Sequence, residues 1–142
     1  MRVLFDTNVL LDALLSRKPF VADAVFLLEA VKAKKISGFL SATTATDIHY
    51  VVRKQTKSAN KATAAVVKLM KLMNVCLVDR AILEQAIALS GTDFEDDVQL
   101  SCALSSGLDT IVTRDDAGFS TSPLLITSPT NLRKLLTQQE IS

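Results

Sequence analysis

A chain of 142 residues with net charge +1 and 49% hydrophobic content has the size and balance of one compact domain, able to bury about 70% of its unfolded surface. No apolar run approaches the ~20 residues of a membrane span, and residues 1–14 lack the basic start and small-residue cleavage site of a signal peptide. A single histidine excludes a Cys/His zinc centre; Cys76 and Cys102, each isolated in an apolar run, read as buried free thiols of a reducing cytoplasm.

In chain order, Val3–Phe5 is a short apolar run of the kind that fills a strand covered on both faces, and it stops abruptly at Asp6-Thr7-Asn8. Val9–Leu15 reads as a short helix, broken by Arg17-Lys18-Pro19. Phe20–Lys34 carries apolar residues at helical spacing. Ser37–Leu40 is a strand, Ala42–Arg53 a helix, and after a loop at Thr56–Ser58 comes the helix Ala59–Met73. Val75–Val78 is a strand, followed by a helix capped by Asp79 and ended by Ser90-Gly91. The acidic stretch Thr92–Asp97 leads into the helix Val98–Ser106, and Thr110–Thr113 is a strand that ends in Arg114-Asp115-Asp116. Leu124–Thr127 is the last strand, and Ser128-Pro129 starts a helix through Leu136. Strands separated by helices imply a three-layer α/β/α domain with a parallel sheet covered on both faces.

Charge is unevenly spread. From Ile48 to Val78 there is no acidic residue, while Arg53, Lys54, Lys57, Lys61, Lys68 and Lys71 fall there. From Leu72 to Thr113 the only base is Arg80, against seven acids. A basic segment beside an acidic centre suits a protein that grips a polyanion around a cation; a solvated, lysine-rich helix face accounts for the same lysines equally well.

Asp6 and Asp115 end strands at the sheet's C-terminal edge, where ligands of open α/β sheets bind. Asp96 falls in a helix's first turn, and Asp47 on the helix after the second strand. Asp79 and Asp93 are read as helix caps. Carboxylates gathered at one edge repel unless a cation joins them, and all-oxygen ligation suits Mg²⁺ or Mn²⁺. Such an ion supports phosphodiester hydrolysis without a protein nucleophile.

Asp6-Thr7-Asn8-Val9-Leu10-Leu11-Asp12, Ser41 through Asp47, Asp93-Phe94-Glu95-Asp96 leading into Gln99–Leu104, and Ile111-Val112-Thr113-Arg114-Asp115 together resemble, in order and spacing, the successive motifs of the PIN domain. The likeness is to the small bacterial single-domain type that includes VapC-like toxins. It implies a five-stranded parallel sheet ordered 3-2-1-4-5 and a metal-dependent endoribonuclease. It also implies a protein antitoxin, covering the acidic cleft or a hydrophobic groove beside it, and a homodimer. Carried over by position, Asp6, Asp96 and Asp115 match metal-holding catalytic acids; Asp47, expected to assist catalysis, stands where the family has glutamate and, one methylene shorter, reaches the metal through water or not at all; and Gly118 stands where many relatives have a further aspartate. Asp115 or Asp116 must then supply the fourth carboxylate. Asp97 is expected on the helix surface. Asn8 and Thr113 either orient a ligand carboxylate or bond locally at the turns, and Arg53, Lys54, Lys57 and Lys61 are the candidate RNA contacts. Asp12 reads as structural. His49 reads as packed or surface rather than as a general base; Tyr50 could stack on a base, but Val51 and Val52 beside it make packing the default.

Two other classes fit the acids less well. A phosphatase of the haloacid dehalogenase type needs a second aspartate two residues after the first, where Asn8 stands; a phospho-acceptor receiver needs a lysine at a later strand end, where Arg114 follows Thr113. A non-catalytic RNA- or protein-binding module would accommodate both Asp47 and Gly118.

Overall fold

In a computed structural model, described over residues 1–120 and 122–141, five strands form one parallel sheet: β1 Arg2–Phe5, β2 Ser37–Ser41, β3 Asn74–Cys76, β4 Thr110–Val112 and β5 Leu125–Thr127, in the order β3-β2-β1-β4-β5. The helices are α1 Thr7–Leu14, α2 Val21–Lys32, α3 Ala42–Thr56, α4 Ala59–Leu72, α5 Arg80–Leu89, α6 Phe94–Ser105 and α7 Pro129–Ile141. A single 3-10 turn, Ala117–Phe119, was not expected from the sequence.

The central strand explains both layers. Val3, Leu4 and Phe5 are all fully buried, and alternation sends Val3 and Phe5 to one face and Leu4 to the other. The first face packs against α1, α2, α3, α4 and α7 through Leu10, Leu27, Ile48, Leu69 and Leu132. The second packs against α5 and α6 through Ile82, Ala86, Leu100 and Ala103. Cys76 and Cys102 lie buried and unbridged in this second layer, where burial pushes the Cys102 thiol up to about 12. No helix among the described residues is long and apolar enough to cross a membrane.

Differences from the sequence reading are local. β3 begins one residue early and stops at Cys76, because its ladder partner Ser41 is the last residue of β2. α6 begins at Phe94 rather than Val98, so the acidic stretch is the helix's own first turn. Asp93 caps it, accepting from Asp96 N at 3.1 Å, and Asp79 caps α5 by accepting from Ile82 N at 3.1 Å. Asp97 is a correction: it is buried, not on the surface, and its Oδ2 accepts from Gly91 N at 2.9 Å.

β1 and β4 are adjacent although three crossovers separate them in sequence, so the sheet's connections reverse direction there. The C-terminal ends of these two strands flank the crevice in which a doubly wound sheet holds its ligand.

Candidate active site

Asp6 follows directly on β1. Its backbone N donates to Val112 O at 3.0 Å, which keeps it in register with β4, and its extended conformation (φ −65, ψ 150) makes it the N-cap of α1. The carboxylate is only 7% exposed. Oδ1 accepts from Thr7 N at 2.7 Å and Gln99 Nε2 at 2.9 Å; Oδ2 accepts from Thr113 Oγ1 at 2.7 Å and, more weakly, Asn8 Nδ2 at 3.4 Å. A carboxylate offers about four acceptor positions, so the side chain is fixed from α1, α6 and the residue that follows β4 at once. A hydroxyl relay steadies the neighbouring helix starts: Thr7 Oγ1 donates to Thr44 Oγ1 at 3.0 Å, and the α3 cap Ser41 accepts from Thr44 N at 3.1 Å.

Asp96 is brought to Asp6 by the first turn of α6. Burial, then the negative charges of Asp6, Asp93, Asp115 and Asp97, push its carboxyl up to about 6. Asp115 lies past the end of β4, exposed. Its N donates to Thr113 Oγ1 at 3.0 Å and its Oδ1 accepts from Ala117 N at 3.3 Å, so Thr113 holds both Asp6 and the Asp115 turn. Asp116 is exposed, makes no cap bond, and is not among the charges acting on Asp96.

Asp47 meets a different partner. Glu95 shares a hydrogen bond with it, and that bond, followed by partial burial and the charges of Asp47, Asp93 and Asp6, pushes the Glu95 carboxyl up to about 7. The expected site residues therefore fall into two connected groups: Asp6, Asp96 and Asp115 in one, Asp47 with Glu95 in the other. Glu95 and Gln99 were not anticipated. Gln99 had a signal, being a long polar residue between Val98 and Leu100 in the run Asp97–Ala103 of α6, which is buried throughout.

Asp12 is buried and paired with Arg114 Nε at 2.6 Å, a structural role as expected. His49 Nε2 bonds Thr63 Oγ1 at 3.2 Å, tying α3 to α4. Arg53, Lys54, Lys57 and Lys61 are exposed; Tyr50 is exposed too, against its expected packing.

Hard oxygen donors in negative excess fit a divalent cation in kind. Among the described residues, however, no three carboxylate, histidine or cysteine side chains stand so as to hold an ion by themselves. Two atoms point to what completes the shell. Asn8 Oδ1 and Gln99 Oε1 are buried without a hydrogen-bond partner, and each belongs to a side chain that already donates to Asp6. Both are acceptors lacking a donor, which the water shell of a hydrated cation would supply.

Residues 2–117 match the family model of the PIN domain. The chain belongs to the PIN domain family. No curated protein matches it. Among solved structures, this PIN domain is similar to VapBC2 from Rickettsia felis bound to a DNA fragment from its promoter, at 16% identity and TM-score 0.68, covering 90% of this chain and 98% of that one. It is similar to a toxin–antitoxin complex from Klebsiella pneumoniae at 24% identity and TM-score 0.66, covering 89% and 97%. It is also similar to VapC20 of Mycobacterium tuberculosis, described as a Sarcin-Ricin loop cleaving toxin, at 13% identity and TM-score 0.67, covering 84% and 94%. At these identities the likeness is one of fold, and it extends over nearly the whole of each relative.

Proposed function

We propose that this PIN domain is a metal-dependent endoribonuclease acting in the cytoplasm, and the toxin of a toxin–antitoxin pair. The observation that carries the reading is the Asp6 cluster: a buried carboxylate fixed by Thr113 and Gln99, with Asp96 beside it, its carboxyl raised by burial and then by the charges of Asp6, Asp93 and Asp115. Asp6, Asp96 and Asp115 would hold Mg²⁺ or Mn²⁺, with Asn8 and Gln99 accepting from its water shell. When bound, the ion supplies an activated water and neutralises charge on the phosphoryl oxygens. Thr113 and Gln99 orient Asp6. Asp47 assists, hydrogen-bonded to Glu95, and Arg53, Lys54, Lys57 and Lys61 grip the RNA backbone.

The antitoxin reading is supported by the relatives' toxin–antitoxin complexes and by an apolar groove of about 720 Å³ between α1, α2 and α4. Leu14, Leu28 and Leu72 line it, and Lys32, Lys68 and Lys71 rim it against a single Glu29, so its occupant would be an amphipathic segment with acidic flanks. A homodimer would cover Leu83 and Ile87, exposed one turn apart on α5.

The test is cleavage of a mixed structured and single-stranded RNA with Mg²⁺, with Mn²⁺ and with chelator, alongside Asp6→Asn and Asp96→Asn. Cleavage that needs metal and disappears in both variants supports the nuclease. Folded, inhibitor-free protein that cleaves RNA neither with metal nor in chelator selects the second reading, an inert RNA- or protein-binding module. That reading is favoured by the lack of a ready three-acid cluster among the described residues and by Gly118.

A further inference from the structure

The most exposed aromatic rings of the chain are Tyr50, 65% exposed, and Phe94, 52% exposed. They stand on the two helices whose acids meet at the site: Tyr50 is one turn beyond Asp47 on α3, and Phe94 immediately precedes Glu95 at the start of α6. The buried face of α3 is Thr44, Ile48 and Val52. On its outer side Asp47, Tyr50 and Lys54 form a stripe at intervals of three and four residues, and Lys57, the left-handed residue that ends the helix, lies beyond them, about 15 Å along the axis from Asp47. Arg53 flanks the stripe. Among the described residues no carboxylate pairs with Arg53, Lys54 or Lys57; the ion pairs among those residues are elsewhere.

Resting on the nuclease reading of the acidic cluster, we infer that Tyr50 and Phe94 are stacking platforms for unpaired bases of the RNA strand, and that the stripe from Tyr50 to Lys57 is the track along which that strand leaves the site. A polyanion satisfies both halves of the stripe together. Its phosphates meet the unpaired cations and its bases cover the rings, and every base offers a face to stack. A duplex cannot do this, because its bases are already stacked on one another.

Tyr50 is the only tyrosine and the chain has no tryptophan, so its emission reports one position. The intact protein, in chelator, is titrated with a single-stranded oligouridylate and with the same strand in a duplex. Saturable quenching by the single strand, with little by the duplex at equal phosphate, is the expected result. Read by the anisotropy of a dye-labelled strand, because the Tyr50 variants lack the tyrosine emission, Tyr50→Ala and Phe94→Ala should each weaken single-strand binding about ten-fold, in the range of base–aromatic stacking, while Tyr50→Phe restores it. Lys54→Ala should instead flatten the salt dependence.

Emission indifferent to the single strand, or quenched equally by duplex, overturns the inference. So does an emission change that follows protein concentration alone, which would put Tyr50 in a protein interface. RNA cleavage unaffected by Tyr50→Ala at subsaturating substrate sinks the track and leaves the nuclease standing. Quenching without cleavage in any metal keeps the track and sinks the nuclease.

Discussion

Arg114 Nε lies 2.6 Å from Asp12 Oδ2, its Nη2 is 3.3 Å from Oδ1, and its guanidinium carbon stands 3.9 Å from the centre of the Phe20 ring. Asp12 is 1% exposed, so this forked pair fastens α1 to the residue that immediately precedes Asp115. Arg17 reaches the same carboxylate only at 3.9 Å. Arg114→Ala would leave a buried carboxylate with that long contact alone, and loss of one partner of a buried pair costs about 3 kcal/mol. The expected outcome is a fall in Tm of roughly 10 °C, read by thermal or urea unfolding. Arg114→Lys should recover only part of it, since an ammonium cannot fork or stack as a guanidinium does. A loss below about 1 kcal/mol would mean that Arg17 takes over.

The donors on Asp6 give a second expectation. Gln99→Met keeps the volume of a buried side chain but removes the 2.9 Å bond to Oδ1; Thr113→Val removes the 2.7 Å bond to Oδ2. Partners that orient a metal-holding carboxylate are worth about 10–100-fold in affinity or activity. Each variant should lose that much metal-dependent cleavage and bind Mn²⁺ more weakly, with the circular dichroism unchanged. Thr113→Ser should restore both. Full activity in Thr113→Val would reduce Thr113 to a turn residue.

Asp6 was legible because a buried strand that breaks into three polar residues leaves its first carboxylate at the sheet edge. The strand order was not legible from periodicity; it came with the family resemblance. Glu95 was hidden because acids in a helix's first turn are commonplace, and only the packing of α3 beside α6 brings Asp47 to it. Asp97 was misjudged for a similar reason: the donor that allows its burial is the backbone N–H of Gly91, in the loop before the helix. Tyr50 was within reach. Val51 and Val52 are its neighbours in sequence but not on the helix face, and Val52 turns inward with Ile48 while Tyr50 turns out.

Gly118 carries a third expectation. A Cβ at this position would collide with Asp96 Oδ2 and lie 2.8 Å from its Cγ. The obstacle is the end of a flexible side chain, so Gly118→Ala should fold, with stability changed by less than about 1 kcal/mol. Asp96 must then turn aside, and Mn²⁺ affinity measured by calorimetry should drop several-fold. Gly118→Asp displaces Asp96 in the same way but returns a carboxylate to the spot, so it should bind Mn²⁺ more tightly than Gly118→Ala. Equal binding by all three proteins would show that Asp96 does not need its present position.

The raised carboxyls set the pH dependence. Asp96 is lifted from 3.8 to about 6, and Glu95 from 4.5 to about 7. A carboxyl whose pKa is higher in the folded protein binds more protons there than in the unfolded chain, so stability falls as pH rises. The contribution of these two groups is complete below the ordinary carboxylate range. It is lost from there upward, first through Asp96 and finally through Glu95. In chelator, Tm should therefore decline from pH 5 to pH 8. Mg²⁺ or Mn²⁺ replaces the missing protons, so the rise in Tm that the ion produces should grow across the same interval. Asp96→Asn should flatten the lower part of the decline, and Glu95→Gln the part near neutrality. An ion-induced rise in Tm that is the same at every pH would mean that the cation binds elsewhere than at these carboxyls.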